Sequence, residues 1–288
     1  MAAECETNTM PGEAVRSMPR ILQCRTRFGN HDQRGSVAIQ SIERAAAILR
    51  ALAGGSRRLG VSELSDRLGL AKGTVHGLIR ALQEEGFVEQ DADSGKYQLG
   101  GSLLQLGNIY LDVNELRGRS LAWSDNLAMR SGEAVRVGTL HGDGVLVIHH
   151  VFRPDNTLQI LEVGAHLPLH ATALGKALLA YDQDLERDIV ARGIPKLTRA
   201  TITTPAAVTR AMEAIRENGW AAEREEAVIG EGSVAAPIFD RRGQSAGAIG
   251  VVGPIERIFS GRSPRPEMVT HVRDAARAIS RDLGGGRY

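Results

Sequence analysis

Residues 61–99, VSELSDRLGLAKGTVHGLIRALQEEGFVEQDADSGKYQL, constrain the fold more than any other stretch, because turn-forming residues cut them into short pieces of set length. Leu64 and Leu68 lie four apart, on one face of a short helix over 62–68, and Gly69 supplies the left-handed residue that stops it. After a break of two or three residues, Val75, Leu78, Ile79 and Leu82 recur at spacings of three and four. They predict a helix from Lys72 to about Glu85, ended by Gly86. Phe87 to Gln90 and Lys96 to Leu99 flank the turn formers Asp91-Ala92-Asp93-Ser94-Gly95 and read as a small hairpin. Upstream, Ile39, Ile42, Ala45, Ala46, Ile48, Leu49 and Leu52 mark another amphipathic helix that ends at Gly54-Gly55. Three helices and a hairpin make a winged helix-turn-helix over residues 36–100.

The helix at 72–85 carries a second stripe. Lys72, His76 and Arg80 are four apart and therefore share a face. Gly73 and Gly77 sit beside them, although each costs about 1 kcal/mol relative to Ala in a helix interior. In a helix-turn-helix the second helix of the motif enters the major groove and its first residues meet base edges. Lys72, Thr74 and His76 hold those places: Lys bonds guanine O6 or N7, and Thr bonds a base edge or touches a thymine methyl. Arg80, further along, suits a phosphate. The candidate DNA-binding residues are Lys72, Gly73, Thr74, His76, Gly77 and Arg80; the plainer alternative is a solvated helix face. Bulk charge does not decide, since residues 36–100 hold as many acidic as basic side chains. The acids gather at Glu84, Glu85, Glu89, Asp91 and Asp93, which leaves only Lys96 to make the wing a phosphate clamp.

A chain of 288 residues with 42% hydrophobic content has material for two domains with separate cores. Its 35 basic and 34 acidic residues leave a net charge of +1, so any nucleic-acid contact comes from local placement. Cys5 and Cys24 are the only cysteines, which excludes a disulfide framework and a cysteine zinc site from the folded body. No run reaches the roughly 18–20 apolar residues of a membrane span; a soluble, cytoplasmic protein is expected. Residues 1–35 are polar and aperiodic and read as a disordered extension.

Past the hairpin, Leu103, Leu106, Tyr110, Val113 and Leu116 form an apolar seam, read as a linker helix over 101–117 that packs on its own chain or on a partner. Residues 118–288 mix predicted strands (134–139, 144–151, 157–163, 234–239, 245–252) with predicted helices (121–131, 174–181, 205–218 and a long last one through Leu283), an α+β domain. Thr204 and Pro205 open the 205–218 helix and Gly219 closes it. His141, His149, His150 and His170 raise the question of catalysis. His149 and His150 are neighbours on one predicted strand and face opposite ways, and no hydrolase, metalloprotease, dinucleotide or P-loop motif is present. A sensor domain with no metal and no cofactor is the better reading; a catalytic or metabolite-binding domain with secondary DNA binding is the rival.

AIQSIERAAAILRAL, LGVSELSDRLGLAKGTVHGLIRALQEEGFVEQ and GKYQLG resemble the DNA-binding half of the IclR family of bacterial transcriptional regulators. LPLHATALGKALLA (167–180) and AAPIFDRRGQSAGAIGVVGP (235–254) resemble the two signatures of that family's effector-binding half. The likeness runs in order from about residue 37 to 285. It implies a GAF-like C-terminal domain over 118–288, a homodimer or dimer of dimers joined through the linker helix, and operator DNA of inverted-repeat character. It also places an effector against Ala173 and Leu174 on one wall, Gly232 and Ser233 on a second, and Gly250 and Val252 on the floor. Some members carry serines where this chain has Gly250 and Val252, which counts against a small keto acid. The run Gly230-Glu231-Gly232-Ser233 could instead offer backbone amides to an anion, with Arg224 as countercharge; a Gly-rich connection with Arg224 at the surface is the alternative. LAKGTVHGLIRALQEEGFVEQD, LGNIYLDVNELR and VIHHVFRPDNTLQILEVG are most similar to the actinobacterial branch that represses glycerol operons, which implies glycerol 3-phosphate as effector. Regulation, in either sign, of another catabolic pathway by a different small acid is the second reading.

Overall fold

The structure, a computed structural model, describes residues 39–54, 58–155 and 157–285; the extension expected over 1–35 and both cysteines lie outside them. Helices α1 (Gln40–Ala53), α2 (Val61–Leu68) and α3 (Lys72–Glu84) open the chain. Between α2 and α3, Gly69 takes φ 65, where a Cβ would be strained. Ser65 then closes the turn from both sides: its Oγ donates to the Leu70 carbonyl at 2.5 Å and its own carbonyl accepts the Leu70 amide at 3.2 Å. One buried serine thus sets the angle between the two helices. Strands β1 (Val88–Gln90) and β2 (Tyr97–Leu99) pair antiparallel, and Leu59 bridges to Tyr97 on the far side. Ile48, Leu52, Leu59, Leu64, Val75, Ile79, Leu82, Val88 and Tyr97 make the core of this unit.

Helix α4 (Ser102–Asp112) buries none of its side chains. The chain then breaks at Val113-Asn114, and α5 (Glu115–Ser131) starts afresh with the Asn114 side chain accepting the Arg117 amide at 2.9 Å. The one linker helix expected over 101–117 is therefore two, because an Asn cap competes with helix continuation. The apolar seam divides with it. Leu106, Tyr110 and Val113 stay exposed, whereas Leu116 is buried beneath the sheet of the second domain.

That domain runs β3 (Ala134–His141), β4 (Gly144–Val151), β5 (His166–Pro168), α6 (Ala173–Leu179), α7 (Gln183–Arg192), α8 (Pro205–Asn218), β6 (Ala221–Arg224), β7 (Glu231–Phe239), β8 (Ser245–Pro254), α9 (Ile255–Ile258), β9 (Phe259–Ser260), β10 (Ser263–Pro264) and α10 (Pro266–Asp282). Six strands form one antiparallel sheet in the order β5-β4-β3-β8-β7-β6. Val135, Val137, Val234, Ala236, Ile249 and Val251 point to the face covered by α5 and α10. Val145, Val147, Ala235 and Ala248 point to the face covered by α6 and α8, with Leu185 and Ile189 of α7 packed behind. The architecture is α+β, with a winged helix at the N-terminus and an antiparallel sheet layered by helices at the C-terminus.

The strand expected over 157–163 does not form. Gln159 curls this segment back by accepting the Arg153 amide at 2.7 Å and donating to its carbonyl at 2.9 Å, so the pattern of Leu158 and Ile160 serves a loop. Strands β5 and β6 and helices α7 and α9 have no counterpart in the sequence reading. Thr204 sits at the start of α8, but its side chain makes no capping bond; Pro205 at the first helical position does the work of starting the helix.

Candidate functional site

Helix α3 turns Val75, Ile79 and Leu82 into the core and leaves Lys72, Gly73, His76, Gly77 and Arg80 exposed, with Thr74 half-buried. A Cβ built at Gly73 or Gly77 would meet nothing within 4 Å. The protein's own packing therefore gives no reason for either glycine, and the open space lies along the polar face. Arg80 pairs with Glu84 at 3.2 Å, but both side chains are largely in water, so an incoming phosphate displaces the pair at small cost. The wing is different. Arg58 is matched by Asp91 at 2.9 Å and Lys96 by Glu63 at 3.2 Å, which occupies its cations. Glu63 is held below the usual carboxylate range by the Gly60 amide and Lys96, and Asp91 by Ser94 and Arg58. Among the described Lys and Arg residues of α3 and the wing, those left without a buried or cross-element partner are therefore Lys72 and Arg80, both on α3.

A cavity of ≈ 290 Å³ opens on the α6 side of the sheet, walled by the first turn of α6, the segment 160–167 and Ala227-Val228. Ala173, Leu174, Ser233, Gly250 and Val252 line it. Arg224 and Gly232 do not. Side chains alternate along a strand, so Glu223 points in while Arg224 is exposed, and Gly232 faces Phe259, whose ring a Cβ would meet at 2.8 Å. The expected amide nest over 230–233 is also overturned: Glu231, Gly232 and Ser233 belong to β7, and Gly232 and Ser233 pair with β6 on one side and β8 on the other. Their backbone groups serve the ladder and are not free for an anion. Gly250 is enforced by packing, since a Cβ there would lie 2.6 Å from the Val234 carbonyl oxygen and 2.7 Å from Ala235 Cβ.

The cavity's polar groups are ones the sequence reading passed over. Arg136 on β3 is the only Arg or Lys among the described residues that line it, and it holds Glu162 through two hydrogen bonds, one from Nη2 at 2.7 Å. Glu223 is 4% exposed and accepts from Ser233 Oγ at 2.9 Å and from the Glu226 amide at 3.0 Å. Burial nevertheless pushes its pKa up to about 7. Burial also raises Glu231, against the pull of Arg136. Behind them the buried pair Lys176–Glu226, 2.6 Å apart, braces α6 against the segment after β6. A signal was available: Arg136 sits between Val135 and Val137 on an otherwise apolar strand, so it must face the opposite side of the sheet from them.

His149, His150 and His170 pack within the sheet domain. His149 faces Arg117 and Asp125 of α5, and His150 lies opposite Arg136 with its Nδ1 accepting the Glu162 amide at 3.2 Å; burial lowers both pKa values. His170 bonds the Pro195 carbonyl at 2.9 Å. Among the described residues no three His, Cys, Asp or Glu side chains gather as a metal site, and no helix is long and apolar enough to cross a membrane.

A recognition-type helix on a winged domain, joined to a sheet domain with a cavity open on its α6 side, defines a ligand-responsive transcriptional regulator. Residues 41–92 match the IclR helix-turn-helix domain, and residues 108–281 match the C-terminal domain of bacterial transcriptional regulator IclR. The chain belongs to the IclR family, whose members are transcriptional regulators and not enzymes. It is 55% identical over 250 residues to the glycerol operon regulatory protein of Streptomyces griseus, spanning 87% of this chain and 98% of that one. Identity to the protein of that name from Streptomyces coelicolor is 54% over the same shares. The crystal structure of an IclR transcriptional regulator from Alicyclobacillus acidocaldarius superposes with a TM-score of 0.75 at 27% identity, covering 86% of this chain and 99% of that one.

Proposed function

We propose that this DNA-binding regulator represses a glycerol catabolic operon and leaves its operator when a small effector such as glycerol 3-phosphate fills the cavity. The observation that carries the DNA half is the pair of exposed glycines beside Lys72, His76 and Arg80, whose cost to the helix only an outside surface offsets. The name shared by the two Streptomyces relatives supports the operon. Leu104, Leu106, Ile109, Tyr110 and Val113 on and just after α4 are exposed in the single chain, a face suited to a second copy. A dimer joined there sets two α3 helices in successive major grooves, about 34 Å apart, and calls for an inverted-repeat operator.

Release requires only that the effector bind the DNA-incompetent arrangement better. A preference of roughly 100-fold supplies about 2.7 kcal/mol. Contacts support a route. Gly247 of β8 lies against Leu116 at the start of α5, and Gly250 and Val252 of the same strand floor the cavity. Movement of β8 is thereby passed to the junction between α4 and α5.

The apolar walls, Ile160, Leu161, Leu174, Val228 and Val252, favour a second reading in which the effector is an acid with a hydrocarbon or aromatic body, from another pathway. Fluorescence anisotropy on the chain's own upstream DNA at fixed salt separates the two. Release by glycerol 3-phosphate and not by pyruvate or benzoate supports the glycerol reading. Release only by an aromatic acid supports the second, and equal affinity for scrambled DNA sinks both.

A further inference from the structure

We infer that Glu162 is an internal stand-in for the effector's anionic group: it occupies Arg136 in the empty cavity and is displaced when an anionic ligand enters. This rests on the cavity being the effector site. Glu162 is the carboxylate that Arg136 holds among the lining residues, so an anion that enters must either leave Arg136 alone or take the place of Glu162. Exchanging the Glu162 carboxylate for the ligand's own keeps Arg136 paired.

The two partners differ in how freely they can part. Arg136 is fixed on β3, central in the sheet, between Gly250 of β8 and His150 of β4 in register. Glu162 stands on the strandless segment between β4 and β5 and is the more exposed of the pair, 29% against 15%. Its backbone is tethered separately, by the hydrogen bond its N–H donates to His150 Nδ1, so its side chain can swing to water while the segment stays docked. The ligand class that follows is small, with one phosphate or carboxylate for Arg136 and hydroxyls for the acceptors Glu223 and Glu231.

Isothermal titration of the full chain with glycerol 3-phosphate, inorganic phosphate, pyruvate and neutral glycerol tests this, on the parent, Glu162→Gln and Arg136→Gln, with melting temperatures as the check on folding. Removing the internal competitor should tighten anion binding by about tenfold, the worth of one charge-assisted hydrogen bond. Arg136→Gln should weaken it by at least as much, and glycerol should not respond to either change. A brace that merely holds the segment would lose affinity in both variants, and that result, or no change in Glu162→Gln, overturns the inference. If the parent binds none of the anions, Glu162→Gln must still acquire binding; silence there also overturns it. Operator binding by the same samples without ligand reports on the regulator reading independently.

Discussion

Glu223→Gln should make the sheet domain more stable at alkaline pH and leave it nearly unchanged at pH 4. The carboxyl is buried, and its pKa is pushed up to about 7 from the 4.5 of the free side chain. The folded state therefore keeps a proton that the unfolded chain has already lost between about pH 4.5 and 7. Stability is whole below 4.5, falls as pH rises through that window, and levels off above 7. A tenfold change in proton affinity is worth about 1.4 kcal/mol, so the fall attributable to this group is roughly 3 kcal/mol. Glutamine cannot ionise. Its carbonyl can accept the Glu226 amide and its NH₂ can donate to Ser233 Oγ, which preserves both present contacts.

Urea titration followed by fluorescence measures the effect, since the only tryptophans, Trp123 and Trp220, both pack against the core of this domain. Burial raises Glu226 and Glu231 as well, which tilts the stability of parent and variant in the same direction. At fixed protomer concentration, the difference between them should grow from near zero at pH 4 to about 3 kcal/mol at pH 8. Parallel curves, or a variant less stable than the parent at pH 8, would refute the argument that Glu223 is a desolvated acid held against its preference.

Lys72→Ala should cost about 1–3 kcal/mol of operator affinity if it reads a base, whereas Arg80→Ala should weaken all sequences alike and lower the salt slope by about 1, measured by anisotropy across a salt series. Gly77→Ala has open space around it and should raise the melting temperature through about 1 kcal/mol of helix propensity while operator affinity falls; a gain in both would remove the backbone-approach argument. Gly250→Ser forces atoms onto Val234 and Ala235 and should cost roughly 1–3 kcal/mol in a denaturant titration. Leu106→Asp, on the exposed face of α4, should shift the protein to monomer in analytical ultracentrifugation and abolish tight operator binding together with it.

The winged domain was legible because each boundary is set by a residue that acts locally. Gly69 and Gly86 take φ 65 and 70 where the helices were expected to stop, and the hairpin turns at 91–95 as its composition demands. The linker was misjudged for the same kind of reason read too coarsely: the apolar spacing runs through residue 113, but Asn114 is a better cap than helix interior, and Leu116 belongs to another core. The strand expected over 157–163 failed because a period of two is also what a loop shows when a side chain such as Gln159 satisfies its backbone.

The cavity was half legible, and the division follows from what decides it. Ala173, Leu174 and Ser233, named through a motif, line the cavity because the motif preserves an element and its phase, while Gly232, one step away on β7, does not reach it. The countercharge did not, because Arg224 was chosen by nearness along the chain, whereas a sheet assembles its face by register. Glu223 and Ser233 are ten residues apart yet opposite one another across β6 and β7, and Arg136 reaches the same face from a strand almost a hundred residues earlier, next to Gly250. One step along β6 separates a buried acid from an exposed arginine, so an error of a single residue in phase reverses the charge assigned to the site. An arginine in a strand of valines is for that reason a stronger pointer to a cavity than an arginine beside a run of glycines: the strand must bury it on one defined side, and burial obliges it to find a carboxylate or a ligand.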